Sequence, residues 1–287
     1  MIVVTGATGK LGKLIIGSLL HRLPASEIGI SVREPQGASV WKASGMQVRH
    51  GDFSQPDTLT AAFEGATALL IISSNAAAFG GDPIAQHRAA IEAAKQVGVE
   101  RVLYTSHAAA SMSSAFPPMR VHAYTEMMLS ESGLEWIALR NGFYADAALR
   151  FLGDWKRGIV RAPVDGKVGW TAHEDLAEAA AAVLTSQAGV SGPTPPLTGS
   201  EALDFADLTA IAGALLREPV HRQVVDDEVY RKELEDRGLS LARINMTFDF
   251  YRASRLEEFS VVDRTLERLI GRKPKTMREV LSEAQVR

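Results

Sequence analysis

The chain contains no cysteine, which excludes disulfides, thiolate nucleophiles and cysteine–zinc sites. Zero cysteine is compatible with any compartment. Long apolar runs are also missing: segments such as TALLIISS at 67–74 fall far short of the roughly 20 residues that span a bilayer. Charge of one sign is scarce. A formal net charge of −3 gives no reason to expect nucleic acid or an anionic membrane as a partner. A secretory signal would begin with a basic region and a longer apolar stretch. The first residues instead read MIVVTGATG, a strand running straight into a glycine turn, and the expected location is cytoplasmic. Internal repeats and a low-complexity tail are absent as well.

What is present is ordinary globular material, 46% apolar and 23% charged, in a chain of 287 residues that can bury a large core. Short β-branched runs alternate with amphipathic stretches up to residue 145. Strands are expected at Ile2–Thr5, Ile28–Val32, Met46–Arg49, Ala68–Ser73, Arg101–Thr105 and Trp136–Leu139. Helices are expected near 10–22, 36–44, 55–63, 83–97 and 119–132. Ser54-x-x-Asp57 with Pro56 reads as a helix start, and Thr171-x-x-Glu174 as a capping box opening an alanine-rich helix. Strands that are apolar throughout, separated by helices, imply a parallel sheet covered on both faces. The fold class is therefore α/β, a doubly wound parallel sheet of Rossmann type with a smaller, mostly helical C-terminal substrate lobe. The expected division is a nucleotide-binding domain over 1–145 with a returning segment near 165–190, and a lobe made of 146–164 and 191–287.

Gly6, Thr8, Gly9, Lys10, Leu11 and Gly12 follow strand one and open helix one, spaced G-x-x-G-x-x-G. Glycine there lets the backbone turn sharply and approach a pyrophosphate, and the helix N-terminus offers N–H groups and the positive end of its dipole. Position 33, at the end of strand two, selects the cofactor. A carboxylate there suits NAD, whereas Arg33 suits the 2′-phosphate of NADPH. Glu34 and the lack of a nearby lysine weaken that preference, so NADPH is preferred and NADH is accepted. Asp52 either accepts the adenine amino group, with Phe53 flanking the ring, or merely orders its turn. Ser73 and Ser74, ending strand four, fall on the nicotinamide-ribose side.

The pieces VTGATGKLG, VREP, VRHGDFSQPDTL, ALLIIS, RVLYTS, VHAYTE and LRNGFY, in that order, resemble the NmrA-like group of atypical short-chain reductases. The combination His122-x-x-x-Glu126 with Leu139-Arg140-Asn141-Gly142 is the most specific part. The resemblance covers essentially the whole chain and is weakest beyond residue 200. It implies NADPH binding and hydride transfer to a quinone-like or dye-like acceptor. Members commonly carry a lysine shortly after the arginine, where this chain has Pro35-Gln36-Gly37.

The remaining absence concerns chemistry. Many dehydrogenases place Tyr-x-x-x-Lys on the fifth crossover helix, but here Tyr124 is followed by Met128, and the helix has no lysine. Ketone reduction leaves an alkoxide and relies on a positioned acid, whereas quinone reduction leaves a stabilised phenolate that water can protonate. The pattern therefore disfavours alcohol dehydrogenation and a nucleotide-sugar epimerase, and favours a quinone-type reductase. Its rival is a redox-sensing regulator that binds NAD(P) without turnover.

His122 is the leading helper, as proton donor or ribose contact, against a capping or packing role at the helix start. His107 is the second candidate, and Ser106 is a ribose or substrate contact. Asn141, Gly142, Phe143 and Tyr144 would close over the nicotinamide; Phe143 and Tyr144, with Phe151 or Trp155, either line an aromatic pocket or are core or lobe-interface aromatics. Glu126 is expected to pair with Arg140 structurally, and no metal site is expected. Exposed helix faces around 83–97 or 119–132 offer a surface for a homodimer.

Overall fold

The computed structural model describes residues 1–186 and 191–286. Residues 187–190, at the end of the expected returning segment, and Arg287 lie outside the described residues. In chain order the elements begin β1 (Ile2–Thr5), α1 (Lys10–Leu20), β2 (Ile28–Val32), α2 (Ser39–Ala43), β3 (Gln47–His50) and α3 (Leu59–Phe63). Next come β4 (Ala68–Ile71), α4 (Pro83–Gln96), β5 (Arg101–His107), α5 (Pro117–Ser130) and β6 (Glu135–Asn141). There follow β7 (Phe143–Tyr144), α6 (Ala145–Leu152), β8 (Ile159–Ala162), β9 (Trp170–Thr171), α7 (His173–Thr185) and β10 (Gly192–Pro193). The chain finishes with α8 (Phe205–Leu216), β11 (His221–Val224), α9 (Asp227–Asp236), α10 (Leu241–Arg255), α11 (Thr265–Ile270) and α12 (Met277–Val286).

Two compact units emerge. Unit 1 is made of 1–106, 121–140 and 173–195, and unit 2 of 107–120, 141–172 and 196–287. Unit 1 holds the main sheet, ordered β10-β6-β5-β4-β1-β2-β3 among the described residues. β1 pairs in parallel with both β2 and β4. Strand order therefore reverses between β1 and β4, which is where open α/β sheets leave a crevice beyond the carboxyl ends of their strands. The strands are legible because both faces are covered: β1, β2 and β4 are buried at every position. On one face α1 buries Leu11, Ile15, Ile16 and Leu19 along α7, whose alanines at 177, 179, 180 and 181 let two helices approach closely. On the other, Leu59, Phe63, Ile91, Tyr104 and Leu129 form one apolar cluster with Val3, Leu69 and Val102. Each such aliphatic side chain contributes about 1.5–3 kcal/mol on burial.

Unit 2 is organised around aromatic rings. Phe151 stacks on Phe250 at 4.5 Å between centroids, Phe250 lies nearly parallel to Phe259 at 5.6 Å, and Phe143 meets Phe259 edge-on at 5.0 Å. Trp155 is 3% exposed. Trp155 thus belongs to the core, and the half-buried Phe143 and Phe151 pack against it. A polar segment, His221–Val224, pairs in parallel with β8, a strand that periodicity does not announce because its side chains are mostly exposed.

Two expected caps are corrected. The residue preceding the short turn at Pro56 is Gln55, with no side-chain bond, while the Ser54 hydroxyl accepts from Gln86 Nε2 at 2.7 Å. Thr171 lies in β9 rather than capping α7; its hydroxyl donates to the Gly169 carbonyl and accepts from the Gly199 N–H, each at 3.0 Å. Among the described residues, no helix is long and apolar enough to cross a membrane.

Candidate functional site

The carboxyl ends of unit 1's strands collect nearly every residue that the sequence singles out there. After β1 the chain turns at Gly6, whose φ of 59° suits glycine. A Cβ on Gly6 would come 3.2 Å from Ile72, on the far side of the switch point. A Cβ on Gly12 would fall 2.4 Å from the Gly6 carbonyl oxygen and 2.7 Å from Ala7 Cα, so this glycine seals the turn onto its own helix. Gly6, Thr8, Gly9 and Lys10 are exposed, and Gly9 precedes α1 as an N-cap with no side-chain bond. An uncapped N-terminus behind a tight, exposed glycine turn fits a pyrophosphate.

Arg33 is exposed just past β2, and its carbonyl accepts a bond of 2.9 Å from His50 Nδ1 at the end of β3. Asp52 Oδ1 accepts from the Ser54 N–H at 2.9 Å, so this oxygen orders the turn. Oδ2 has no protein partner among the described residues, which leaves an acceptor for an adenine amino group. Phe53 beside it is half-buried.

Threonines fix the β4 end. Thr5 Oγ1 donates to the Leu70 carbonyl and accepts from the Ile72 N–H, and the Ser73 N–H donates to Thr105 Oγ1 at 2.8 Å. The Ser74 hydroxyl is already committed, to α4 and to its own loop: it donates to Gln86 Oε1 and accepts from the Ala76 N–H. Its N–H donates to His87 Nε2 at 2.8 Å.

His122 lies in the second turn of α5, not at its start, which removes the capping alternative. Its Nδ1 is 2.8 Å from the hydroxyl of Tyr104, a wholly buried residue of β5. Burial pushes the His122 imidazole down to about 4 and that of His87 to about 3, so both rings are neutral at physiological pH. One turn after His122, Glu126 accepts from Arg140 Nε at 3.0 Å and Nη2 at 2.7 Å, the expected pair in bidentate form. The bond to Glu126 raises the Arg140 pKa against the opposing effect of burial. Ser106 joins this pair: its buried hydroxyl donates to Glu126 Oε1 at 2.6 Å, so its proton serves the ion pair rather than a ribose.

The other expected residues lie in unit 2. His107 Nδ1 accepts from the Ala109 N–H at 3.0 Å, and its ring stands edge-on to Phe143 and Phe259. Asn141 is buried, and its carbonyl accepts from the Ala108 N–H. Gly142 is glycine for packing: a Cβ there would sit 2.3 Å from Thr171 Oγ1 and 2.9 Å from the Gly169 carbonyl oxygen. Tyr144 is half-buried, and desolvation raises the pKa of its hydroxyl. Among the described residues, no group of three or more His, Asp or Glu side chains could hold a metal ion.

Sequence reasoning missed Tyr104, His87, Thr125 and Gln86. For His87 a signal existed, a single histidine on the buried stripe of an amphipathic helix, and buried polar groups require partners.

Residues 6–187 match the model of a family described as NAD(P)H-binding. The chain is 34% identical to quinone oxidoreductase 2 of Escherichia coli (strain K12) over 98% of each chain. It is 29% identical to an NmrA-like family domain-containing oxidoreductase of Aspergillus flavus, over 99% of this chain and 94% of the other. Its structure superposes on that of the E. coli NADPH-dependent quinone oxidoreductase complexed with NADPH with a TM-score of 0.92, at 33% identity and over 99% and 100% of the two chains. The Citrobacter sp. triphenylmethane reductase complexed with NADP(H) gives a TM-score of 0.90, at 32% identity over 99% and 100%.

Proposed function

The chain belongs to the NAD(P)H-binding family, in its NmrA-like branch, and from that premise we propose that it is an NADPH-dependent reductase of quinones or similarly flat, conjugated electrophiles. The observation that carries the acceptor class is His122, held through Nδ1 by Tyr104 on a helix without lysine and kept neutral by burial. A neutral imidazole is a hydrogen-bond donor and a poor acid. That is too little for the alkoxide left by a simple ketone, and enough for a phenolate whose charge is delocalised. The relatives named for quinone and triphenylmethane reduction point the same way.

The residues divide the work as follows. Gly6 to Gly12 and the start of α1 hold the pyrophosphate, and Arg33 takes the 2′-phosphate. Asp52 Oδ2 accepts from the adenine amino group, with Phe53 along the ring. Ser73, its backbone fixed by Thr105, faces the nicotinamide ribose. Bound NADPH supplies the hydride. His122 then steadies the acceptor oxygen on which negative charge develops, and solvent completes its protonation.

The test is consumption of NADPH, and separately of NADH, by the purified protein with and without a simple benzoquinone. Acceptor-dependent oxidation above the protein-free rate, faster with NADPH, is expected. Tight NADPH binding without quinone reduction would overturn the acceptor assignment and favour a regulator that only senses the dinucleotide.

A further inference from the structure

We propose that His87 is a positioning residue that pins the loop carrying Ser73 and Ser74 to the helix carrying His122. The imidazole is wholly buried within unit 1 and makes two bonds of opposite sense. The Ser74 N–H donates to Nε2 at 2.8 Å, and a backbone N–H can only donate, so Nε2 carries no proton. The proton therefore sits on Nδ1, which faces Thr125 Oγ1 at 2.9 Å. Thr125 in turn donates to the Val121 carbonyl at 2.8 Å, which leaves its oxygen ready to accept from His87. The chain of donors closes in one direction only, and only with a neutral ring. Burial, with a smaller contribution from His122, holds the His87 pKa far below neutrality, in agreement with that geometry.

The two ends of the bridge are functional ground. Ser74 follows β4 at the switch point, and Thr125 lies three residues after His122 on α5. Tyr104 ties the same parts together from β5: its ring meets His87 edge-on at 5.2 Å, while its hydroxyl reaches His122. The N-terminus of α4 is itself anchored, since Asp82 accepts from the N–H groups of Ile84 and Ala85. Gln86, beside His87, accepts from the Ser74 hydroxyl and donates to Ser54 across the loop after β3. One turn of α4 thus grips the β4 loop by both backbone and side chain, and His87 carries that grip through to α5.

This inference rests on the cofactor reading above and not on the acceptor. The experiment measures NADP+ affinity and melting temperature of the full chain in three variants. Thr125→Val exchanges hydroxyl for methyl at nearly constant volume. His87→Ala removes both bonds, and His87→Gln retains an acceptor for Ser74. Leaving a buried donor unpaired is expected to weaken NADP+ binding by about tenfold in Thr125→Val and His87→Ala, with His87→Gln recovering to within about threefold. Wild-type affinity in Thr125→Val, whatever its melting temperature, would overturn the proposal even if His87→Ala fails to fold. A wild type that binds NADP+ and reduces no quinone would sink the acceptor assignment and leave this one intact.

Discussion

Unit 1 buries aliphatic side chains on both faces of a parallel sheet and gathers its polar residues at the carboxyl ends of the strands. Unit 2 fills its interior with aromatic rings and spends its polar side chains on pairing and capping: Arg222 donates to Asp165, and Asp204 caps α8 through the Asp207 N–H. A parallel sheet is directional. All its strand ends emerge on one side, so a few residues per loop suffice to assemble a site. An aromatic cluster has no such polarity, and half-buried rings such as Phe143 pack against it from the side.

The largest expected effect breaks this comparison from the unit 2 side. Phe250 is 2% exposed and touches Phe116, Phe143, Phe151, Trp170, Tyr251 and Phe259. Phe250→Ala should cost about 3–5 kcal/mol of unfolding free energy, measured by urea denaturation. NADP+ affinity of the folded variant should stay within about twofold of wild type. A large loss of affinity at small cost in stability would mean that this ring serves the ligand rather than the core.

The same contrast explains what could be read in advance. β1 and β2 match their expected bounds because uninterrupted apolar runs have one reading in a doubly wound fold. β5 and β6 run two residues further, to His107 and Asn141, because polar residues at their ends are held by pairing that no periodicity records. β11, His-Arg-Gln-Val, is unreadable for the same reason. Within the candidate site, the glycine turn, Arg33 and the Glu126–Arg140 pair follow from local pattern and charge. The Tyr104–His122 and His87–Thr125 contacts join residues 18 and 38 positions apart, so only the fold brings them together.

A second expected effect sharpens the comparison from unit 1. Folded His87 titrates near 3, whereas the unfolded residue titrates near 6.5. Between those values the unfolded state binds more protons, so stability falls as pH falls; above 6.5 the contribution is fully present. The slope below 6.5 approaches about 1.4 kcal/mol per pH unit from this residue, and His122, with its pKa lowered to about 4, acts in the same direction. Urea denaturation of wild type and His87→Gln at a series of pH values from 7.5 to 5 checks it. The variant should lose stability less steeply, and parallel slopes would show that His87 is not the group being protonated.

The smallest expected effect falls on the exposed rim of the site. Arg33 makes no bond through its guanidinium among the described residues, so its removal should leave stability unchanged. Its charge would act only on a ligand bearing a 2′-phosphate. Arg33→Ala should therefore weaken NADP+ binding by about tenfold, a typical value for charge-assisted bonds in a solvated setting, while NAD+ affinity stays within about twofold. Because the residue is exposed, the NADP+ preference of the wild type should also shrink as salt rises from about 0.05 M to about 0.5 M, and the variant should show little such dependence. If NADP+ binding survives the substitution, the 2′-phosphate must be held elsewhere on the same rim. His50 would then be the first residue to replace, since its Nδ1 bonds the Arg33 carbonyl and so holds its ring beside Arg33.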